Sequence, residues 1–220
     1  MSPVLHGGLV ADPARGVVIQ ADLGVSGDRI GGVPPGDGEV DVSGCVVLPG
    51  NVCAHHHLYS TLARGMPGPS RAPRNFAEIL ELVWWRLDRA LDPDSIRLSA
   101  LVGALEAARA GTTSIIDHHA SPSVIDGSLD LVADAVEEAG LRAAVCYEVT
   151  DRHGEEGGRA GVAENARFLR ANRRPMVRGM AGAHASFTLG PATLDALVAE
   201  ARDLGAPLHI HVAEDGLDQE

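Results

Sequence analysis

The feature that most constrains this chain is a helix–glycine–strand unit that recurs along it. The helical period of Ile96, Ala100, Leu101, Ala104, Leu105 and Ala108 stops at Gly111, and the β-branched run Thr113–Ile116 follows. Leu129–Ala139 ends at Gly140 and leads into Leu141–Val145; Leu194–Leu204 ends at Gly205 and leads into Leu208–Val212. Between them, Val162–Ala171 runs through Pro175 into Val177–Ala181. Strand starts near 113, 141, 177 and 208 are 28, 36 and 31 residues apart. That rhythm builds successive βα units on a parallel sheet, an α/β fold. A strand over Val46–Val52 is expected to open the series, and Asp92 with Pro93 marks the start of the first long helix. The first 48 residues differ. Short β segments at Val17–Ile19, Leu23–Val25 and Val46–Leu48 are separated by turn signals at Gly27-Asp28, Pro34-Pro35 and Asp37-Gly38, with no helical period. The Gly/Glu-rich stretch His153–Gly158 reads as a loop.

Composition narrows the function. A formal net charge of −12 argues against nucleic acid or an anionic membrane as partner. No apolar run approaches the roughly 18 residues of a membrane span, and MSPVLHGGLV lacks the basic-then-apolar pattern of a secretory signal. The three cysteines, Cys45, Cys53 and Cys146, form no CxxC pair and suit a reducing, cytoplasmic setting. All 18 basic residues are arginines. A phosphate-loop lysine, a Schiff-base lysine and a carboxylated lysine bridging two metals are therefore excluded.

The histidines gather where strands end. The first unit closes on Cys53-Ala54-His55-His56-His57, the second on Asp117-His118-His119, the fourth on His184 and the fifth on His209-Ile210-His211-Val212-Ala213-Glu214, while the third offers Tyr147 and Glu148. In an α/β barrel the chemistry sits at that edge. Side chains alternate along a strand, so His55 and His57 share a face and His56 takes the other. Two imidazoles at that spacing can meet one zinc or iron ion, and His211 can join them from a neighbouring strand. Glu214, in the loop beyond His211, could move a proton without being a ligand. His184 by itself reads as a core histidine. His56, His118 and His119 read as strand caps outside the site. Trp84 and Trp85 lie in an apolar helical stretch, and core packing accounts for at least one of them.

Pro49-Gly50-Asn51-Val52-Cys53-Ala54-His55-His56-His57-Leu58-Tyr59 resembles the first-strand motif of the amidohydrolase superfamily. The chain is most similar to the guanine deaminase and atrazine chlorohydrolase branch. Leu82–Asp88 and Gly111–Pro122 resemble the aminohydrolases associated with selenium metabolism. The resemblance implies a partial (β/α)8 TIM barrel of about five strands over residues 49–220, with residues 1–48 as the N-terminal part of a composite small β-sandwich. It implies that His55, His57 and His211 hold one divalent metal ion, zinc first and iron second. It also implies that Glu214 is the catalytic proton shuttle and that His184 contacts substrate.

The expected reaction is hydrolytic deamination of a small heterocycle containing a cyclic amidine, of purine, pyrimidine or triazine type. The alternatives are dechlorination or dealkylamination of a similar ring, and a catalytically inactive metal-binding chain. The family pattern also implies a histidine after a sixth strand and an aspartate after an eighth, neither of which lies in these 220 residues. The chain is accordingly expected to be the first half of an enzyme and not competent alone. A fragment is favoured over a split-barrel subunit or a reorganised fold. Its open edges imply a homo-oligomer or a complementing chain as partner.

Overall fold

The computed structural model describes residues 3–27, 29–31 and 38–219. Asp28, Pro34, Pro35 and Asp37, counted above among turn signals, lie outside them. The chain divides into two compact units, 1–50 and 51–220.

In the first unit, β1 (Pro3–His6), β2 (Leu9–Asp12), β3 (Val17–Gln20), β4 (Leu23–Ser26), β5 (Arg29–Gly31), β6 (Gly38–Asp41) and β7 (Val46–Val47) form two sheets. Their orders are β5-β4-β1-β6 and β3-β2-β7. Val46 and Val47 pair in parallel with Leu9 and Val10. The single strand expected over Val46–Val52 is therefore two. Pro49 has no N–H to give a ladder, and the chain resumes as a strand only at Asn51.

The second unit carries a parallel sheet of β8 (Asn51–His56), β9 (Thr112–His119), β10 (Arg142–Val149), a fourth strand in two pieces, β11 (Val177–Gly179) and β12 (Ala181–Ala185), and β13 (Leu208–His211). The order is β13-β12-β10-β9-β8, with β11 beside β10, which makes a five-stranded half-barrel. Between β8 and β9 run α1 (Phe76–Ile79), a π-helical turn (Leu80–Trp84), α2 (Trp85–Asp88) and α3 (Pro93–Arg109). Each later strand is preceded by a helix: α4 (Ser128–Glu138), α5 (Gly154–Ala171) and α6 (Pro191–Asp203).

Local chemistry explains these boundaries. Asp92 and Ser95 form a reciprocal capping box with Pro93 in the first turn of α3. Gly111, Gly140 and Gly205 adopt φ of 83°, 78° and 60°. That left-handed turn lets Leu141 N–H bond back to Val136 O at 3.2 Å and Ala206 N–H to Ala201 O at 2.8 Å, closing helix ends as the next strand begins. The segment His153–Gly158 is not a loop, because α5 starts at Gly154. Glu155 and Glu156 suit a helix N-terminus, and a Cβ on the buried Gly158 would lie 2.4 Å from Asp151. Gly158 serves close packing, and Gly154 takes the left-handed φ of 83°. The main core joins Ile96, Ala100 and Ala104 of α3 to Leu129, Val132 and Val136 of α4 and to Ile115 and Val145 beneath them. Among the described residues no helix is long and apolar enough to cross a membrane.

Candidate metal centre

His55 lies in β8 and His57 one residue past its end, where the still extended backbone keeps both rings on one side, while His56 lines a separate hollow with Ser60, Thr61 and Glu106. With three strands between, His211 ends β13 and reaches the same point. His55 Nε2 lies 3.1 Å from His57 Nε2 and 3.3 Å from His211 Nε2. Ligands about 2.0–2.1 Å from a tetrahedral zinc stand roughly 3.3 Å apart, so the spacing fits one ion. The protonation pattern agrees. His57 Nδ1 donates to His118 O at 2.7 Å, and His211 Nδ1 donates to His184 O at 2.8 Å. A carbonyl can only accept, so both rings carry their proton on Nδ1 and turn an Nε2 lone pair inward. Lone pairs converging on one point repel unless a cation lies between them. The donor set therefore fits a divalent ion held by His55, His57 and His211.

These groups open into a cavity of about 290 Å³. Glu214 and His184 join the three histidines on its polar side; Phe76, Leu80, Trp84 and Trp85 form an apolar wall. Glu214 follows Ala213, the one non-glycine residue with positive φ (61°) among the described residues. Its N–H is anchored to Asp218 Oδ2 at 2.9 Å. His184 Nδ1 meets Thr188 Oγ1 at 2.7 Å. All five residues singled out from the sequence thus line one cavity. Both tryptophans do so too, and Trp84 also packs against the core.

The amidohydrolase family model matches residues 46–220. The chain belongs to the amidohydrolase family. Among curated relatives, 5-methylthioadenosine/S-adenosylhomocysteine deaminase 2 of Archaeoglobus fulgidus is 32% identical over 91% of this chain and 47% of its own. The 5′-deoxyadenosine deaminase of Methanosarcina mazei is 32% identical over 92% and 45% respectively. The chain spans about half the length of these amidohydrolases. The fold is shared with zinc-bound atrazine chlorohydrolase of Arthrobacter aurescens TC1 (TM-score 0.77, 23% identity, 96% of this chain and 53% of that one). It is also shared with a zinc-bound adenosine deaminase from Xanthomonas campestris (TM-score 0.74, 22% identity, 97% and 50%).

Sequence reasoning missed a second ring of residues around these histidines. His118, read as a strand cap, is fully buried, with its ring centroid 4.4 Å from that of His211. Its Nδ1 lies 3.4 Å from Glu148 Oε2. Glu148, at the end of β10, also meets Arg152 at 2.9 Å, and Arg152 meets Asp88 at 2.5 Å beneath the ring of Trp85. The run Asp88–Arg152–Glu148 ties the apolar wall to the sheet. The only signal for it in the sequence was the position of Glu148 at a strand end.

Burial sets the electrostatics. Burial, then the neighbouring His118, lowers His57 to about 4. Burial also lowers His184 to about 4 and His209 to about 4, so these rings are neutral near pH 7 and available as ligands or hydrogen-bond partners. Burial opposes charge on Glu148 as well, but His184, His118 and Arg152 outweigh it and hold the carboxylate below its usual range.

Proposed function

We propose that this amidohydrolase contributes the metal-binding half of a hydrolytic deaminase acting on a cyclic amidine of purine, pyrimidine or triazine type. The convergence of three histidine Nε2 atoms beside Glu214 and a tryptophan-walled cavity carries this reading. The deaminase names of the relatives support it. His55, His57 and His211 would hold one divalent ion, zinc before iron. When bound, the ion supplies Lewis acidity that makes water nucleophilic near neutral pH.

The chain's own groups do the rest. Glu214, at the cavity lining, would take a proton from the attacking water and give it to the ring nitrogen as the adjacent carbon is attacked, then carry the proton of the added hydroxyl to the amine, which leaves as ammonia. His184 would hold a polar edge of the ring. Trp84 and Trp85 would cover its faces and keep bulk water away. The free edges of β8 and β13 would be covered by a complementing chain or a second copy, and the unpaired cysteines favour the cytoplasm.

The test uses one purified fraction: native mass by light scattering, zinc by elemental analysis, and ammonia release from 5′-deoxyadenosine and 5′-methylthioadenosine. The release is measured with and without the C-terminal half of the Archaeoglobus relative as a separate chain. Stoichiometric zinc on a defined assembly, with ammonia release on complementation that Glu214→Gln abolishes, is expected. A metal-free chain, or release indifferent to Glu214, overturns the reading.

A further inference from the structure

We propose that His209 is the positioning residue for His55, holding that ring in the tautomer and orientation that present Nε2 to the metal ion. The inference rests on the reading of His55, His57 and His211 as ligands.

The three rings are supported unequally. His57 and His211 each donate Nδ1–H to a main-chain carbonyl, of His118 and His184 respectively, and the sheet fixes both carbonyls. His55 is the most exposed of the three. Its Nδ1 faces a side chain, His209 Nε2, at 3.1 Å. The rings meet edge to face, with centroids 5.1 Å apart and planes at 64°. His55 Nε2 is turned towards His57 and His211, so Nδ1 must carry the proton if Nε2 is to offer a lone pair. His209 Nε2 is then the acceptor, and His209 holds its own proton on Nδ1.

His209 cannot be a fourth ligand on the same ion. It approaches the Nδ1 side of the His55 ring, while the ion's position lies beyond Nε2. It stands two residues before His211 on β13, so the alternation that aims His211 at the centre also turns His209 to that face. Contact with the buried His118 ring, 4.9 Å between centroids, limits its freedom. The two HxH motifs are therefore unlike: both histidines of the first bind, whereas in the second His211 binds and His209 orients.

Second-layer partners of metal-binding histidines are worth about 10–100-fold in metal affinity. The experiment measures zinc affinity of the 220-residue chain by competition with a chromophoric chelator, for the parent, His209→Ala and His209→Gln. Cobalt(II) absorption reports the ligand set. His209→Ala should weaken zinc about 10–100-fold. His209→Gln, whose Oε1 can accept the same N–H, should recover most of that loss, and the cobalt spectrum should keep its band shape throughout. A structural role alone would not be rescued in this way. Equal affinity in His209→Ala and parent, a glutamine variant as weak as the alanine, or a cobalt spectrum that reports a lost ligand overturns the role of His209 and leaves the centre standing. A parent chain with no zinc affinity removes the centre and this inference with it.

Discussion

Replacing Glu164 with alanine should destabilise the chain by about 4 kcal/mol, through a helix 35 residues away in sequence. The N-cap of α4 is Gly127, with φ of 77° and no side chain to receive the orphan amides of the first turn. Glu164, on α5 and 2% exposed, does this instead. It accepts from Gly127 N–H at 3.1 Å and Leu129 N–H at 3.0 Å. Leu129 is fully buried, so water cannot take its place there, whereas the Gly127 amide is only partly buried. A stranded N–H costs about 1–3 kcal/mol, near the top of that range for Leu129 and near the bottom for Gly127, giving roughly 4 kcal/mol for the two. Arg167 loses its bonds to Glu164 at 2.7 and 2.9 Å. It keeps Asp130 at 2.6 Å and is one-third exposed, so little is added. Glu164→Gln retains one acceptor and should cost about half as much. Urea unfolding followed by far-UV circular dichroism gives the difference, and thermal midpoints should fall by roughly 8–16 °C for alanine. A loss under about 1 kcal/mol, or equal losses for Gln and Ala, would refute the capping argument.

His57→Ala and His211→Ala should each abolish retained zinc on gel filtration, while His56→Ala should leave it unchanged. Gly103→Ala pits two effects against each other: helix propensity gains about 1 kcal/mol, but the new Cβ meets Thr61 Oγ1 at 2.5 Å and Leu58 Cδ2 at 2.7 Å. Overpacking costs about 1–3 kcal/mol, so denaturation should show net destabilisation. The metal-free chain should lose stability on acidification. His57 and His184 titrate near 4 and His119 near 3 when folded, against 6.5 unfolded. The unfolded chain therefore binds more protons below 6.5, and stability drops as pH falls from 6.5 towards 4, on the order of 3 kcal/mol per buried ring. Asp117, raised by burial to about 7, and Asp88, raised by burial to about 6, work in the other direction, favouring the folded state at low pH. Three imidazoles against two carboxyls decide the sign, and an unfolding midpoint that does not fall between about pH 7 and pH 5 would contradict it.

Much of the site was legible because strand parity is a local property. Once His55 and His57 sit at i and i+2 of a strand end, they face the same way whatever packs around them. His118 misled for the same reason. Its place beside Asp117 and His119 reads as capping, and nothing near it in sequence announces Glu148, 30 residues on. The glycine-rich start of α5 misled in a different way. Gly158 looks like a loop residue until Asp151 is seen to occupy the space its side chain would take.

The sequence by itself determined the helix–glycine–strand alternation, the helix caps at Asp92 and Gly140, and the shared face of His55 and His57. Each depends on residues within one or two turns of one another, where backbone geometry leaves few choices. Only the tertiary structure decided that β13 brings His211 to the same point, that Glu164 caps a helix it does not belong to, and that His209 supports His55 across 154 residues. A buried charge or ring nitrogen must find a partner, but that need is satisfied through space. Strand order, which no local pattern encodes, chooses the partner.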